Sequence, residues 1–248
     1  MTGRLIRAEL ARIRSRRALA LLPAAGAFFV VLSVAGNASV QRHRMLAGTT
    51  TPADASYFLV GMGFAMVLFS ALSGAWQITS EHRSRSIGLM TLVAPRRTPV
   101  LVAKGVVAAA VGAVHGLVGV AAALVTAKLA MAGYHLPLPL GGRMLALGAG
   151  LVAVSALAGP WGLFIGAVVR SPVASSAGIV VWTTMVEATL IHLFPTVGRW
   201  LPGGVQAAVV ADPSLPQRLG PAEGAALLLL WVAGAAWLAV ASFRTRDI

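Results

Sequence analysis

The sequence contains no cysteine. That excludes a disulfide framework, a thiolate metal site and a cysteine nucleophile. Acidic residues are scarce as well, with 7 Asp and Glu against 20 Lys and Arg. Charged residues of either sign make up only 11% of the chain, where a soluble domain carries about a quarter. So few charges cannot cover a water-facing surface on 248 residues that are 58% hydrophobic, with a mean hydropathy of +0.83. The natural solvent of this chain is a bilayer. The phosphate-cradling pattern G-x-x-x-x-G-K-[ST] is also missing, and neither Lys104 nor Lys128 follows a glycine loop. The chain therefore has no means of its own to hydrolyse a nucleotide.

Six hydrophobic runs are present, at about 18–40, 53–78, 99–131, 143–169, 172–195 and 221–242. Each meets the roughly 20 residues that a spanning helix needs. The expected fold is an all-α integral membrane protein, a single domain over residues 1–248 with six transmembrane helices. Four starts share one device: proline at the first helical position in Thr51-Pro52, Thr98-Pro99, Ser171-Pro172 and Gly220-Pro221. Proline loses no hydrogen bond there, and a preceding Ser or Thr can cap the helix. Asp54 and Glu223 then fall in first turns, where the helix dipole favours negative charge. Gly159-Pro160 predicts a kink in the fourth span. Gly112, Gly116 and Gly119 permit close packing of the third, although their G-x-x-x-G is too common in such chains to imply dimerisation.

The net charge of +13 would suggest nucleic acid in a soluble protein. Here the cations sit at the ends of the runs, and no nucleic-acid partner is expected. Arg4, Arg7, Arg12, Arg14, Arg16, Arg17, Arg83, Arg85, Arg96, Arg97, Lys104, Arg170, Arg244 and Arg246 fall on one side. Arg42, Arg44, Lys128, Arg143, Arg199 and Arg218 fall on the other. The positive-inside rule predicts that both termini are cytoplasmic. Residues 1–17 read as an interfacial helix. Leu5, Ile6, Leu10 and Ile13 share an arc of about 140°, interrupted by Glu9, while the arginines meet lipid phosphates. A rival reading takes "SRRALALL" (15–22) and "AGNAS" (35–39) as a cleaved export signal, but five more hydrophobic runs follow.

Between the second and third runs lies a polar island, "ITSEHRSRSIGLMTLVAPRRTP" (78–99). It offers Glu81, Ser86, the apolar stretch 87–93, Pro95-Arg96-Arg97 and then Lys104. In this order, with six spans and a basic amphipathic N-terminus, the chain resembles the type-2 ABC exporter permeases. It departs at Arg85 and Ser86, where glycine and threonine are common. "WLPGG" (200–204) is similar to the point where that family places short outer helices that dip into the membrane. The resemblance implies a multi-pass protein of the bacterial plasma membrane that moves a hydrophobic or amphipathic substrate outward. It also implies a dimer, homomeric or with a related chain, and a separate ATPase subunit that holds ATP and Mg while this chain binds no cofactor. Finally it implies a coupling helix in which Glu81, Arg83, Arg85 and Ser86 serve a wet rim while Ile87, Met90 and Val93 supply an apolar contact. On the residues alone, the same island also reads as a basic loop held to anionic lipid.

Other function classes leave weaker signals. An intramembrane serine protease needs a G-x-S-G setting, and Ser73 in "ALSGA" lacks the first glycine. A metalloprotease needs H-E-x-x-H, and Glu187 with His192 is spaced i, i+5. No catalytic or metal-binding residue is assigned, and a pore or scaffold without ATP coupling stays open. Glu187, His115 and His192 are ionisable residues that lie well inside runs. Glu187 is either a polar point on a transport path or dimer seam, or a protonated glutamate hydrogen-bonded to a neighbouring helix. His115 and His192 are expected to bond across helices.

Overall fold

A computed structural model of the chain describes residues 2–14, 17–83, 97–139, 141–212 and 218–245, and among them there is no strand. The helices in chain order are α1 (Thr2–Arg14), α2 (Arg17–Leu46), α3 (Pro52–Gly61), α4 (Met66–Arg83), α5 (Arg97–Gly133), α6 (Gly142–Val169), α7 (Pro172–Val181), α8 (Glu187–Leu193), α9 (Pro195–Gly198), α10 (Pro202–Val209) and α11 (Pro221–Thr245). A 3₁₀ turn, Met62–Ala65, joins α3 to α4, and a π turn, Trp182–Val186, joins α7 to α8. Among the described residues, six helical stretches are long and apolar enough to cross a membrane: Leu21–Leu46, Pro52–Glu81, Thr98–Gly133, Gly142–Val169, Pro172–Leu193 and Pro221–Ser242. The protein is an all-α, multi-pass membrane protein.

Two of the four proline starts are capped as the sequence predicts. The Thr51 hydroxyl accepts from the Asp54 amide, and the Ser171 hydroxyl accepts from the Ala174 amide. Pro221 opens α11, and the Glu223 carboxylate accepts from the Gly220 amide at 3.1 Å. The third span differs: it is already helical at Arg97, so Thr98 lies inside the first turn and does not cap it. The first span also runs past the expected end near residue 40. Its polar residues stay helical because they bond to their own turns: Asn37 donates to the Ser33 carbonyl and His43 to the Ser39 carbonyl. The fourth span continues as helix through Pro160 and ends where Arg170 turns left-handed, with φ of 62°.

The second and fourth spans form the centre, each 56% buried over its apolar window, against 22%, 17% and 22% for the first, fifth and sixth. What brings the second, third and fourth spans together is glycine. A Cβ placed on Gly74 would lie 1.9 Å from the Gly159 carbonyl oxygen, and one on Gly162 would lie 1.9 Å from that of Ala71. One on Gly112 would lie 2.3 Å from the Ser155 carbonyl oxygen, and one on Gly159 2.3 Å from that of Ala108. Backbone therefore meets backbone along a seam with no side chain between. The Gly112 and Gly116 faces are spent on the fourth span of the same chain. The Ser70 hydroxyl donates to the Ser155 carbonyl across this seam at 2.7 Å.

Candidate functional site

Two regions concentrate the buried polar chemistry. The first lies at the end of the bundle where α1, the end of α4 and the start of α5 meet. Lys104, on the third span, places its ammonium 2.8 Å from the Glu9 carboxylate and 2.8 Å from that of Glu81. All three side chains are at least 90% buried. A buried ammonium and carboxylate hold each other because each would lose several kcal/mol of hydration alone, of order 3–5 kcal/mol when one partner is removed. One cation thus ties the N-terminal helix to the last turn of the second span, from which residues 84–96 depart. Glu9, which breaks the apolar arc of α1 in sequence, is the residue by which α1 docks on the third span; Leu10 on the same helix is exposed.

Glu81 therefore does not stand at a wet rim: its carboxylate is inside the chain. Arg83 closes α4. Arg85, Ser86, Ile87, Met90 and Val93 lie outside the described residues.

The second region lies between the fifth and sixth spans. After the fifth span the chain makes two short helices, α9 and α10, and these return into the bundle. The Trp231 indole N–H donates to the Trp200 carbonyl at 3.0 Å. Trp231 stands ten residues into the 22-residue sixth span, or about 15 Å along it at 1.5 Å per residue. The turn between α9 and α10 thus reaches the middle of a spanning helix. Glycine again allows the approach: a Cβ on Gly204 would lie 2.1 Å from the Gly198 carbonyl oxygen, and one on Gly198 2.5 Å from the Ile191 Cα.

Helix α10 is held at both ends. At its start, the Gly203 amide donates to the carboxylate of Glu187, which is 2% exposed. This places an acceptor on the free amides and the positive dipole of a helix N-terminus. At its other end, the Tyr57 hydroxyl, from the second span, donates to the Val210 carbonyl at 2.7 Å. Glu187 thus bonds to a neighbouring helix, α10, through a backbone amide. The two histidines turn out differently from the cross-helix bonds expected. His192 donates through Nδ1 to the Ala188 carbonyl at 2.8 Å, and His115 to the Val111 carbonyl at 2.9 Å, both within their own helices. His115 is buried, and its Nε2 has no hydrogen-bond partner.

Beneath α10 lies a cavity of about 440 Å³ between the fourth, fifth and sixth spans, within the range of small-molecule sites. Trp161, Trp182, Trp231 and Trp237 line it, with Gly178 and Gly234 leaving the room, and no lining residue carries an ionisable group. Pro202, the first residue of α10, closes one side. Trp182 opens the π turn that ends at Glu187, and π turns recur at functional sites. The sequence signal was there in the 6 tryptophans of the chain, but their positions on three different spans hid their convergence. Among the described residues no cluster of His, Asp or Glu could hold a metal ion.

No protein-family model matches the chain, and no curated protein matches it.

Proposed function

We propose that the chain is the membrane permease of a type-2 ABC exporter, which carries a hydrophobic or amphipathic cargo out across a bacterial plasma membrane. A separate subunit supplies the energy from ATP and Mg, and two permease chains act together. The observation that carries this reading is the helix pair α9–α10, which returns to mid-span between the fifth and sixth spans, where the resemblance places dipping outer helices. In this reading both termini are cytoplasmic, on the side with the larger share of arginines, and α1 rests on anionic lipid. Residues 83–96 engage the ATPase subunit through Arg83, Arg85, Ser86, Ile87, Met90 and Val93. Glu81 acts one step back, by fixing with Lys104 the root from which that segment leaves.

The test uses Ile87→Asp, which puts a charge into the apolar part of the contact, where charge is depleted. At matched membrane levels it should abolish both capture of the ATPase subunit and export. Retention of both would remove the coupling assignment. The chain purified alone should show no ATPase activity, and intrinsic hydrolysis would reject the permease reading.

A further inference from the structure

Two tryptophans of the cavity, Trp182 and Trp231, stand at the wrong depth for lipid anchors. Indoles that anchor a helix gather at the two membrane–water interfaces. Trp182 lies ten residues after Pro172 and eleven before Leu193, and Trp231 lies ten after Pro221 and eleven before Ser242. Each is therefore at the centre of its span. Trp161 joins them from the fourth span and Trp237 from six residues further along the sixth. Trp182, Trp231, Trp237 and Leu238 are all exposed, so the cavity is open along the outer face of the fifth and sixth spans.

Indole faces are the strongest aromatic partners of a cation, because the ring quadrupole presents negative potential above its plane. A cavity lined by four indoles and by no fixed cation attracts a positive charge without the strict geometry of an ion pair. A buried acidic side chain lies close by in the chain. Glu187 is five residues beyond Trp182 and accepts from Gly203, next to the cavity-lining Pro202. An acyl chain, the rival occupant, needs only aliphatic walls and gains nothing from quadrupoles.

We infer that this cavity is a binding site for a lipophilic cation whose charge is spread over or shielded by apolar groups. The inference deepens the exporter reading by naming a cargo class, and it rests on that reading only for transport; binding stands apart from it. Charge delocalisation matters because a compact ammonium is too strongly hydrated to leave water for a site without a direct counter-ion.

The experiment compares two probes of one shape and opposite charge, tetraphenylphosphonium and tetraphenylborate, by equilibrium dialysis against the purified full-length chain in detergent micelles. Micelles without protein set the baseline. The phosphonium should bind saturably, and the borate should not. Trp182→Leu and Trp237→Leu keep the walls apolar while removing one indole each, and should weaken phosphonium binding about three- to thirty-fold. Trp237 is 70% exposed, so its replacement leaves the fold intact. Trp182→Phe should fall between wild type and Trp182→Leu. Equal or tighter binding of the borate would overturn the proposal. So would leucine variants that hold the phosphonium as well as wild type, or a co-purifying phospholipid that the phosphonium cannot displace. Binding with no ATPase partner would leave the site standing and remove the exporter reading. ATP-driven export of some other cargo with no phosphonium binding would do the reverse.

Discussion

Replacing Lys104 with methionine tests the ion knot most directly. The side chains are similar in length, so the change removes the ammonium and keeps much of the apolar stem. At 2.8 Å from each carboxylate, the gross attraction is about 6 kcal/mol per pair at an effective dielectric of about 20. Most of that is offset by the hydration the three groups give up, and the net cost of removing one partner of a buried pair is about 3–5 kcal/mol. Lys104→Met should therefore destabilise the protein by about that amount, because two carboxylates stay at a buried junction without the ammonium they share. The triple variant Glu9→Met, Glu81→Met, Lys104→Met removes these three charges together, and an ion cluster exchanged for apolar groups of like volume is often close to neutral. It should recover to within about 1–2 kcal/mol of wild type. The assay is reversible unfolding in mixed micelles, followed by circular dichroism, with all variants at matched lipid content. The decisive quantity is the departure from additivity. If the triple variant is as unstable as Lys104→Met, the loss belongs to packing of the lysine stem, and the electrostatic account of how α1 and the loop root are held together fails.

The glycine seam gives a sharper contrast. Gly74→Ala and Gly162→Ala drive a methyl group into a carbonyl 1.9 Å away and should cost about 3 kcal/mol or more in the same unfolding assay. Gly36→Ala, with nothing within 4 Å of the new Cβ, should be neutral or stabilise by up to about 1 kcal/mol. Glu187→Leu leaves the Gly203 amide without its acceptor and should cost about 1–3 kcal/mol, while Glu187→Gln keeps an acceptor oxygen and should cost less than half as much. Tyr57→Phe at the other end of α10 should cost about 0.5–1.5 kcal/mol, and hydrogen exchange should show α10 loosened in both losing variants. Reporter fusions at Gly48 and Gly133 should read outside and one at the C-terminus inside; an exposed C-terminal tag on intact cells would overturn the orientation.

Spans and their starts are readable because hydropathy and capping are local. Thr51, Ser171 and the prolines after them act within one turn, and the structure keeps them. The end of the first span is misread for a physical reason. Hydropathy falls after residue 40, but the helical hydrogen bonds do not depend on it, and His43 finds its partner one turn back. The ion knot is not readable, since 95 positions separate Glu9 from Lys104. Its trace in sequence is a mismatch of character: an acid on the apolar arc of a basic helix, and a lysine six residues into a hydrophobic run. The tryptophan cavity leaves even less, because a tryptophan at mid-span and one at an interface look alike until the span's ends are known. Glu187 is recognisable as costly where it stands, but its partner, a backbone amide, has no signature in sequence.

The glycine seam has a mechanical consequence. Ordinary helix interfaces slide or rock by exchanging side-chain rotamers, one packing for another. Where Gly74, Gly112, Gly159 and Gly162 meet the facing backbone, there are no rotamers to exchange, and a neighbouring register would press a longer side chain against the opposing chain. The second, third and fourth spans are therefore keyed together as one stiff plate. Any displacement the molecule makes falls to the first, fifth and sixth spans, which border that plate through side chains that can repack. The Tyr57 hydroxyl is rooted in the plate, whereas Glu187 rides on the fifth span. A hinge motion of the fifth span would thus pull α10 from its start while its far end stays fixed.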